Sequence, residues 1–313
     1  MSGTRQCDDL GHGYRGAGHQ TARDELPIEP GAAAAVRLAR MRLATIRTGN
    51  GTRAVRVDDD AAIETGHRCV GELLKESDWR GVAESAAGPA HAVDSLDFAT
   101  LVTWPEKTIC VGLNYLDHIA ETGRTPPEYP TLFTKYARSL IGAHDPIQMP
   151  RDDESTEVDW EAELGVVIGT EIRRGSEDEA AAAIAGYTVV NDISVRDWQY
   201  RSTQFLQGKA WEGSTPVGPY LVTTEPGAPA AFPISCVVDG QVMQDSNTKA
   251  LCFGPVHLVQ YISTLITLAP GDLIVTGTPG GVGHARNPKV FLKRGQTVVT
   301  RIEGIGECQN VCV

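Results

Sequence analysis

The sequence predicts an α+β fold that is rich in β-strand. Short apolar or alternating segments, separated by Gly, Pro, Asn and Asp, recur along the 313 residues, as is typical of strands. Few segments have the composition of a helix. No Gly-x-Gly-x-x-Gly unit follows a predicted strand, which argues against a Rossmann fold. The length is sufficient for one large domain with a small companion.

Composition divides the chain into three predicted parts. Residues 1–30 are rich in Gly, Asp, Arg and Gln and lack the apolar segment of a secretory signal. We expect them to be a disordered tail in which His12 and His19 belong to no site. Residues 31–104 are expected to form a small N-terminal α/β domain, and residues 105–313 the larger domain.

The overall charge is acidic, with 28 basic and 40 acidic residues and a formal net charge of −12. This balance argues against nucleic acid or an anionic membrane surface as the main partner, although an anionic small molecule remains compatible with it. The seven cysteines are scattered and form no Cys-x-x-Cys unit, so we expect reduced thiols in a cytoplasmic protein. No apolar run is long enough to span a bilayer.

The small N-terminal domain begins with a predicted hairpin. Residues 41–48 alternate between apolar and polar side chains, Asn50-Gly51 is a preferred hairpin turn, and residues 54–57 continue as a second strand. Residues 70–75 are predicted to form a short helix. Because this part contains no cluster of reactive side chains, we expect it to pack against the larger domain or a second subunit.

The larger domain is predicted to consist of short strands with a few helices between them. Apolar runs and turn residues predict, in order, a strand at 108–112, a mobile lid at 121–130, a helix at 180–185, a loop at 200–207, a hairpin around 237–240, a helix at 257–265, a strand at 273–276 and further strands from 295 to 313.

An alternating acidic segment is the most informative part of the larger domain. In residues 159–169, Glu161 and Glu163 fall on one face of a strand, because residues two apart share a face. Two carboxylates so placed repel each other unless water or a cation lies between them. An isolated segment of this kind is usually a solvated edge strand. A second predicted strand, at 186–191, is followed by Asp192.

A histidine and a glutamate lie three residues apart after the first strand of the larger domain. His118 and Glu121 would be neighbours on one face of a helix. A carboxylate beside an imidazole orients the ring and raises its basicity, which a general base requires. Without further support, a pair of surface side chains is the better interpretation.

The order of these motifs resembles the fumarylacetoacetate hydrolase family. The resemblance runs from about residue 107 to the C-terminus and rests on the segments 114–121, 159–169, 186–192, 196–209 and 271–283. It is strongest to the smaller bacterial and mitochondrial members, the acylpyruvate hydrolase-like branch. The resemblance implies that residues 105–313 form a mixed β-sandwich roll and are the catalytic domain. It also implies a homodimer, in keeping with the general frequency of twofold dimers.

The resemblance assigns three metal ligands, Glu161, Glu163 and Asp192. These side chains supply only oxygen, which suits Mg²⁺ or Mn²⁺, with Ca²⁺ as the less favoured ion. Three protein ligands leave room in an octahedral shell for water and for a chelating substrate such as a 2-oxo acid.

The resemblance further implies catalytic and substrate-binding roles. The implied catalytic residues, of which the first two would activate water, are His118, Glu121 and Lys209. The implied substrate-binding residues are Lys135, Arg196, Gln199 and Thr278. For Arg196, a salt bridge to Asp197 or another acid is the alternative. The full-length animal enzyme of the family uses a distant glutamate to assist its histidine; residues 278–283 contain none, so Glu121 gains importance.

The function implied first is metal-dependent hydrolysis of a C–C bond in a 1,3-dicarbonyl or acylpyruvate-type acid, through a metal-stabilised enolate. The alternatives on the same site are decarboxylation of a β-keto acid such as oxaloacetate, keto–enol isomerisation, and dehydration of a 2-keto-3-deoxy sugar acid. A metal-stabilised binding protein without activity is a further class. The joint presence of His118, Glu121 and Lys209 argues against it.

Overall fold

The structure, a computed structural model, describes residues 40–121, 123 and 125–313. The predicted tail at residues 1–30, with His12 and His19, lies outside the described residues. Within the described part of the chain, no helix is long and apolar enough to cross a membrane.

The described residues form seventeen β-strands. In chain order they are β1 (Arg42–Thr48), β2 (Gly51–Val57), β3 (Ala61–Glu64), β4 (Ala90–Ala92), β5 (Thr108–Gly112), β6 (Thr131–Lys135), β7 (Leu140–Ile141), β8 (Val158–Asp159), β9 (Ala162–Ile168), β10 (Ile184–Asn191), β11 (Ser194–Val195), β12 (Thr215–Thr223), β13 (Pro233–Val238), β14 (Gln241–Asn247), β15 (Leu273–Val275), β16 (Thr297–Ile302) and β17 (Gly306–Val311).

Helices are short and few over the same residues. They are α1 (Val70–Leu73), α2 (Trp79–Glu84), α3 (Leu116–Glu121), α4 (Glu177–Ala183), α5 (Arg196–Gln199), α6 (Leu206–Lys209) and α7 (Pro255–Leu265). Single 3₁₀ turns occur at Val93–Ser95, Ala137–Ser139, Thr248–Ala250 and Gly283–Ala285. The β-rich α+β class predicted from the sequence is confirmed.

The largest sheet contains strands from almost the whole described chain. Its strand order is β4-β3-β2-β1-β12-β10-β9-β15-β5-β6, and β7 pairs with β12. Strand β15 is parallel to β5 and antiparallel to β9, so the sheet is mixed, as the resemblance implied. Strand β1 is hydrogen-bonded to β12, with Arg42 opposite Val222. Strands from both sides of residue 104 therefore share one sheet, and the domain division at 104 and 105 stays a prediction.

A second, four-stranded antiparallel sheet has the order β14-β13-β16-β17 and includes the hairpin predicted around 237–240. Val238 of this sheet belongs to the same buried cluster as Leu164 of β9. Val167, also in β9, belongs to another buried cluster, which contains Leu73 of α1. The central strands β9 and β10 are thus buried on both faces.

The acidic segment is not the solvated edge strand that an isolated segment of this kind usually is, because β9 lies between β10 and β15 in the large sheet. It differs from the continuous strand predicted for it, since β8 ends at Asp159 and β9 begins at Ala162. The interruption has a local cause: the N–H of Trp160 donates to the Asp159 carboxylate, and the N–H of Glu161 donates to the side chain of Asn191. At these two residues, hydrogen bonds from the main-chain N–H groups to side chains replace those to a neighbouring strand.

Two other elements have bounds that differ from the predicted ones. The predicted helix at 180–185 is α4, which begins three residues earlier behind a capping box formed by Ser176 and Glu179. It ends at Ala183, because Ile184 already pairs with Ile168 as the first residue of β10. The predicted loop at 200–207 ends in the one-turn helix α6, which carries Lys209.

Candidate active site

Three acidic side chains meet at the centre of the large sheet. Glu161 lies in the link between β8 and β9, Glu163 lies in β9, and Asp192 follows β10. The register places Glu163 opposite Val190, two residues before Asp192, so the strand pairing itself brings the acids together. One carboxylate oxygen from each lies within 4.8 Å of the others, and all three side chains are buried. This is the cluster that the resemblance assigned to a metal.

The charges around this cluster fit a divalent cation. Burial, together with the neighbouring Asp192 and Glu161 carboxylates, raises the pKa of Glu163 well above its usual value. The side chain of Glu163 accepts one main-chain N–H, that of Gly277, and no cationic side chain pairs with it among the described residues. An all-oxygen donor set with one uncompensated carboxylate suits Mg²⁺ or Mn²⁺.

Two buried lysines compensate the other acids. The ammonium of Lys209 lies 2.6 Å from Glu161 Oε2 and 2.8 Å from Asp192 Oδ2. The ammonium of Lys135 lies 2.9 Å from Asp192 Oδ1 and also donates to the carbonyls of Ile193 and Lys209. Burial opposes the charge on Lys209, but Asp192 and Glu161 outweigh it and raise its pKa. The two acids therefore favour the ammonium form of Lys209, in which it is a hydrogen-bond donor.

The Arg196 guanidinium links the acid cluster to a fourth buried acid. Its Nε donates to Asp159 Oδ2 at 2.8 Å, and its Nη1 lies 2.8 Å from Glu161 Oε1 and donates to Gln199 Oε1 at 2.9 Å. The alternative of a salt bridge was thus right in kind, but Asp197 is not the partner. Asp197 instead accepts from the Ser155 hydroxyl.

The predicted histidine–glutamate pair is formed at the end of α3. His118 Nδ1 lies 2.7 Å from Glu121 Oε1, and Glu121 Oε2 accepts the N–H of Gly281 at 2.9 Å. The second oxygen thereby fixes the glutamate against the segment after β15. His118 is buried, with 8% of its surface exposed, and Nε2 is the ring nitrogen left for a ligand. The 278–283 segment thus supports the pair through a main-chain N–H.

The segment that follows β15 forms one boundary of the site. Gly277 has φ of +98°, and a Cβ there would lie 2.8 Å from Asn114 Cβ, so only glycine fits. The Thr278 hydroxyl donates to the Ala162 carbonyl at 3.0 Å and accepts from Gln244 Nε2 at 2.7 Å. Its side chain is therefore already held by the protein.

A cavity of about 350 Å³ connects these groups. Seven of the ten predicted site residues line it, namely His118, Glu121, Glu161, Arg196, Gln199, Lys209 and Thr278. Glu163 and Asp192 are not among the lining residues. Lys135 is likewise not among the lining residues, and the buried Asp192 and two main-chain carbonyls hold its ammonium. Its role in substrate binding stays a prediction.

The sequence analysis missed the remaining walls of the cavity. They include Phe133, Tyr200, Phe205, Val282 and His284. No local pattern marks these residues, since they come from four separate segments that only the fold brings together. The mobile character of residues 121–130 stays a prediction.

Comparison with known proteins decides the family. The model of the family described as "Fumarylacetoacetate (FAA) hydrolase C-terminal" matches residues 107–313. The chain belongs to this family.

Relatives in the fumarylacetoacetate hydrolase family include enzymes of several kinds. Human mitochondrial oxaloacetate tautomerase FAHD2B is 42% identical over 234 residues, which is 74% of each chain. The solved 5-carboxymethyl-2-hydroxymuconate delta-isomerase of Mycobacterium smegmatis is 32% identical, with a TM-score of 0.73 over 87% of this chain and 99% of that one. The fumarylpyruvate hydrolase of Pseudomonas aeruginosa, solved with Mn²⁺ and pyruvate, is 31% identical, with a TM-score of 0.60 over 67% and 90%.

These relatives support an enzyme and leave the finer predictions open. Tautomerase, isomerase and hydrolase are all represented, so C–C hydrolysis is one of several activities in the family. The tautomerase is named as mitochondrial, and the cytoplasmic location expected from the cysteines stays a prediction. The homodimer, and the exclusion of nucleic acid and membrane as partners, also stay predictions.

Proposed function

We propose that this protein is a divalent-metal-dependent enzyme that interconverts the keto and enol forms of a short 2-oxo acid of the oxaloacetate type. The observation that carries the proposal is that one cavity is lined both by the histidine–glutamate pair and by Lys209 with Glu161 of the acid cluster. The similarity to oxaloacetate tautomerases supports this choice among the chemistries that such a cavity allows.

Glu161, Glu163 and Asp192 would hold the metal, Mg²⁺ or Mn²⁺. When bound, the ion would supply Lewis acidity toward the oxygen atoms of the 2-oxo acid.

The protein's own groups account for the proton transfer. His118 would accept the proton from the carbon next to the substrate carbonyl through Nε2, while Glu121 holds Nδ1–H and stabilises the imidazolium that forms. As the C–H bond breaks, its electron pair forms the C=C bond and the carbonyl electrons move to oxygen. Lys209 places positive charge beside that oxygen. The enol is completed when the oxygen takes up a proton from water and the His118 imidazolium returns its proton to water, and the reverse sequence restores the keto form.

Hydrolysis of an acylpyruvate is the second candidate, and it was the first expectation from the sequence. The same His118–Glu121 pair can deprotonate a water molecule instead of a carbon acid. The similarity to the fumarylpyruvate hydrolase favours this alternative.

One preparation assayed for three reactions tests the proposal. With Mg²⁺ or Mn²⁺ present, we expect the tautomers of oxaloacetate to equilibrate much faster than in buffer, as followed by the absorbance of the enol. Cleavage of acetylpyruvate and decarboxylation of oxaloacetate are measured in parallel. Chelation of the metal should abolish the acceleration, and His118→Ala should nearly do so. The matched control is His144→Ala, which removes an exposed histidine outside the cavity.

The opposite pattern would overturn the proposal. If acetylpyruvate is cleaved while oxaloacetate tautomers equilibrate only at the spontaneous rate, the protein is a hydrolase of the second kind.

A further inference from the structure

One wall of the cavity contains two stacked rings that have no part in the proton transfer proposed above. His284, in the 3₁₀ turn Gly283–Ala285, and Tyr200, which follows α5, both line the cavity. Their ring centroids are 4.9 Å apart and their planes are inclined by 28°. We call His284, Tyr200 and the neighbouring Arg196 the donor wall.

A single carboxylate, that of Asp159, holds the parts of the donor wall together. Asp159 Oδ2 accepts both from Arg196 Nε at 2.8 Å and from the main-chain N–H of His284 at 2.9 Å. Asp159 Oδ1 accepts the N–H of Gly283 at 2.7 Å. Because Asp159 is fully buried, these bonds hold the 3₁₀ turn and the guanidinium in a fixed relation.

Hydrogen-bonding capacity remains unused on this wall. Among the residues that the structure describes, Arg196 Nη2 and His284 Nδ1 are buried and have no hydrogen-bond partner. The carbonyl oxygen of Gln199 accepts from Arg196, so its amide N–H groups remain as donors beside them. By contrast, the Lys209 ammonium is already held by two carboxylates. A buried polar group without a partner is costly, so a ligand that satisfies such a group gains affinity and specificity.

The imidazole of His284 acts as an uncharged group near neutral pH. Burial, and then the positive charges of Arg196 and Lys289, lower its pKa from the ordinary value. A neutral imidazole carries one N–H donor, and together with the guanidinium it can bind an acceptor-only group such as a carboxylate.

Apolar side chains line another part of the cavity. Phe133 and Phe205 meet edge to face there, with ring centroids 5.8 Å apart, and Leu113 lines the cavity as well. These side chains offer a carboxylate no hydrogen-bond donor, and the Lys209 ammonium, 5.2 Å from the centroid of the Phe133 ring, is already bound by Glu161 and Asp192.

We propose that the donor wall binds the second carboxylate of a dicarboxylic 2-oxo acid, with His284 as the residue that distinguishes diacids from monoacids. This inference rests on the proposed function, because it names the substrate class of the same cavity. A substrate with a neutral acyl group in this position would leave the donors of His284 and Arg196 unpaired, and the site would select against it.

Binding of two stable analogues tests the inference without any turnover. Malate and lactate share a 2-hydroxy acid group, and only malate has the second carboxylate. Calorimetry in the presence of Mn²⁺ should show that the wild type prefers malate. His284→Ala should weaken malate binding by at least about tenfold, the usual effect of losing a hydrogen bond to a charged group, and should change lactate binding by no more than about twofold.

Further variants separate hydrogen bonding from packing. His284→Phe keeps a ring against Tyr200, and its affinity for malate should fall as much as that of His284→Ala. His284→Gln retains an N–H donor and should recover part of the affinity. The matched control is His257→Ala, which removes a histidine stacked on Phe253 outside the cavity and should leave both affinities unchanged.

The outcomes distinguish this inference from the proposed function. The proposed role of the donor wall is wrong if the wild type binds malate no more tightly than lactate, or if His284→Phe weakens the binding of both equally, whatever reaction is catalysed. The wild type could instead prefer malate and lose this preference in His284→Phe, yet fail to accelerate oxaloacetate tautomerisation. That result would support the role of the donor wall and reject the proposed function.

Discussion

The acid cluster, which reaches the cavity through Glu161, and the donor wall of the same cavity are built in different ways. The cluster lies on and beside the central strands β9 and β10, which are buried on both faces, and two lysines compensate its charge. The wall comes from a one-turn helix and a single 3₁₀ turn, and it retains unpaired donors. In the cluster, chemistry and stability therefore depend on the same residues. In the wall, by contrast, substitutions can change which ligand binds with little effect on stability.

The largest expected effect is the loss of a metal ligand. Asp192→Ala should abolish activity and weaken Mn²⁺ binding strongly, because two remaining carboxylates rarely hold such an ion. Calorimetry of Mn²⁺ binding is the measurement, with Asp245→Ala on the exposed side of β14 as the matched control. Undiminished Mn²⁺ affinity in Asp192→Ala, and likewise in Glu161→Ala and Glu163→Ala, would mean that the metal binds elsewhere.

The next effect concerns the proton-transfer pair opposite the cluster. His118→Ala should lower tautomerisation, or acylpyruvate cleavage if that is the activity, by about 10²–10⁴-fold. Mn²⁺ affinity should not change, because His118 bonds to Glu121 and to none of the three acids. Decarboxylation of oxaloacetate, if present, should fall much less, since it needs neither water nor proton abstraction. An equal loss of all three reactions would assign His118 a shared role, such as holding the cavity closed.

The third prediction concerns stability at the cluster. Lys135→Met should lower the free energy of unfolding by about 3 kcal/mol, because it leaves one oxygen of the buried Asp192 without its cation. Urea unfolding with a chelator present is the measurement, so that added metal does not compensate the lost charge. Lys249→Met, at an exposed position, is the matched control. A change below about 1 kcal/mol would show that Lys209 alone compensates the acids.

The smallest effect is expected at the wall. Tyr200→Ala removes one ring of the stack with His284, and a pair of stacked rings contributes about 0.5–1.5 kcal/mol. Because Tyr200 is half-exposed, we expect the free energy of unfolding to fall by no more than about 1 kcal/mol in the same urea experiment. A loss as large as that of Lys135→Met would remove the contrast between wall and cluster.

Sequence patterns were sufficient for the parts of the site that follow from strand register. The spacing of Glu161 and Glu163, and the position of Asp192 after the next strand, identified the cluster once the resemblance was recognised. The His118–Glu121 pair followed from helical spacing in the same way. Hairpins with Gly turns and the long helix α7 were also predicted close to their observed positions.

Other features depend on tertiary contacts that a single sequence does not show. Alternation in 159–169 suggested one buried face, but both faces are covered by layers from distant parts of the chain. Nothing local in the sequence shows that the ammonium of Lys135 reaches Asp192, 57 residues along the chain. His284 was missed because its significance comes from Tyr200 and Asp159, both remote in sequence.

Asp159 has a consequence for anyone who wishes to redesign the substrate range of this enzyme. Its carboxylate accepts four hydrogen bonds, from the N–H groups of Trp160, Gly283 and His284 and from the Arg196 side chain. Substitutions that alter only the His284 and Tyr200 side chains leave these four hydrogen bonds intact. An insertion or deletion in 282–285 would shift the donors to Asp159 and with them the guanidinium that reaches Glu161, so loop grafting at this point would also disturb the acid cluster.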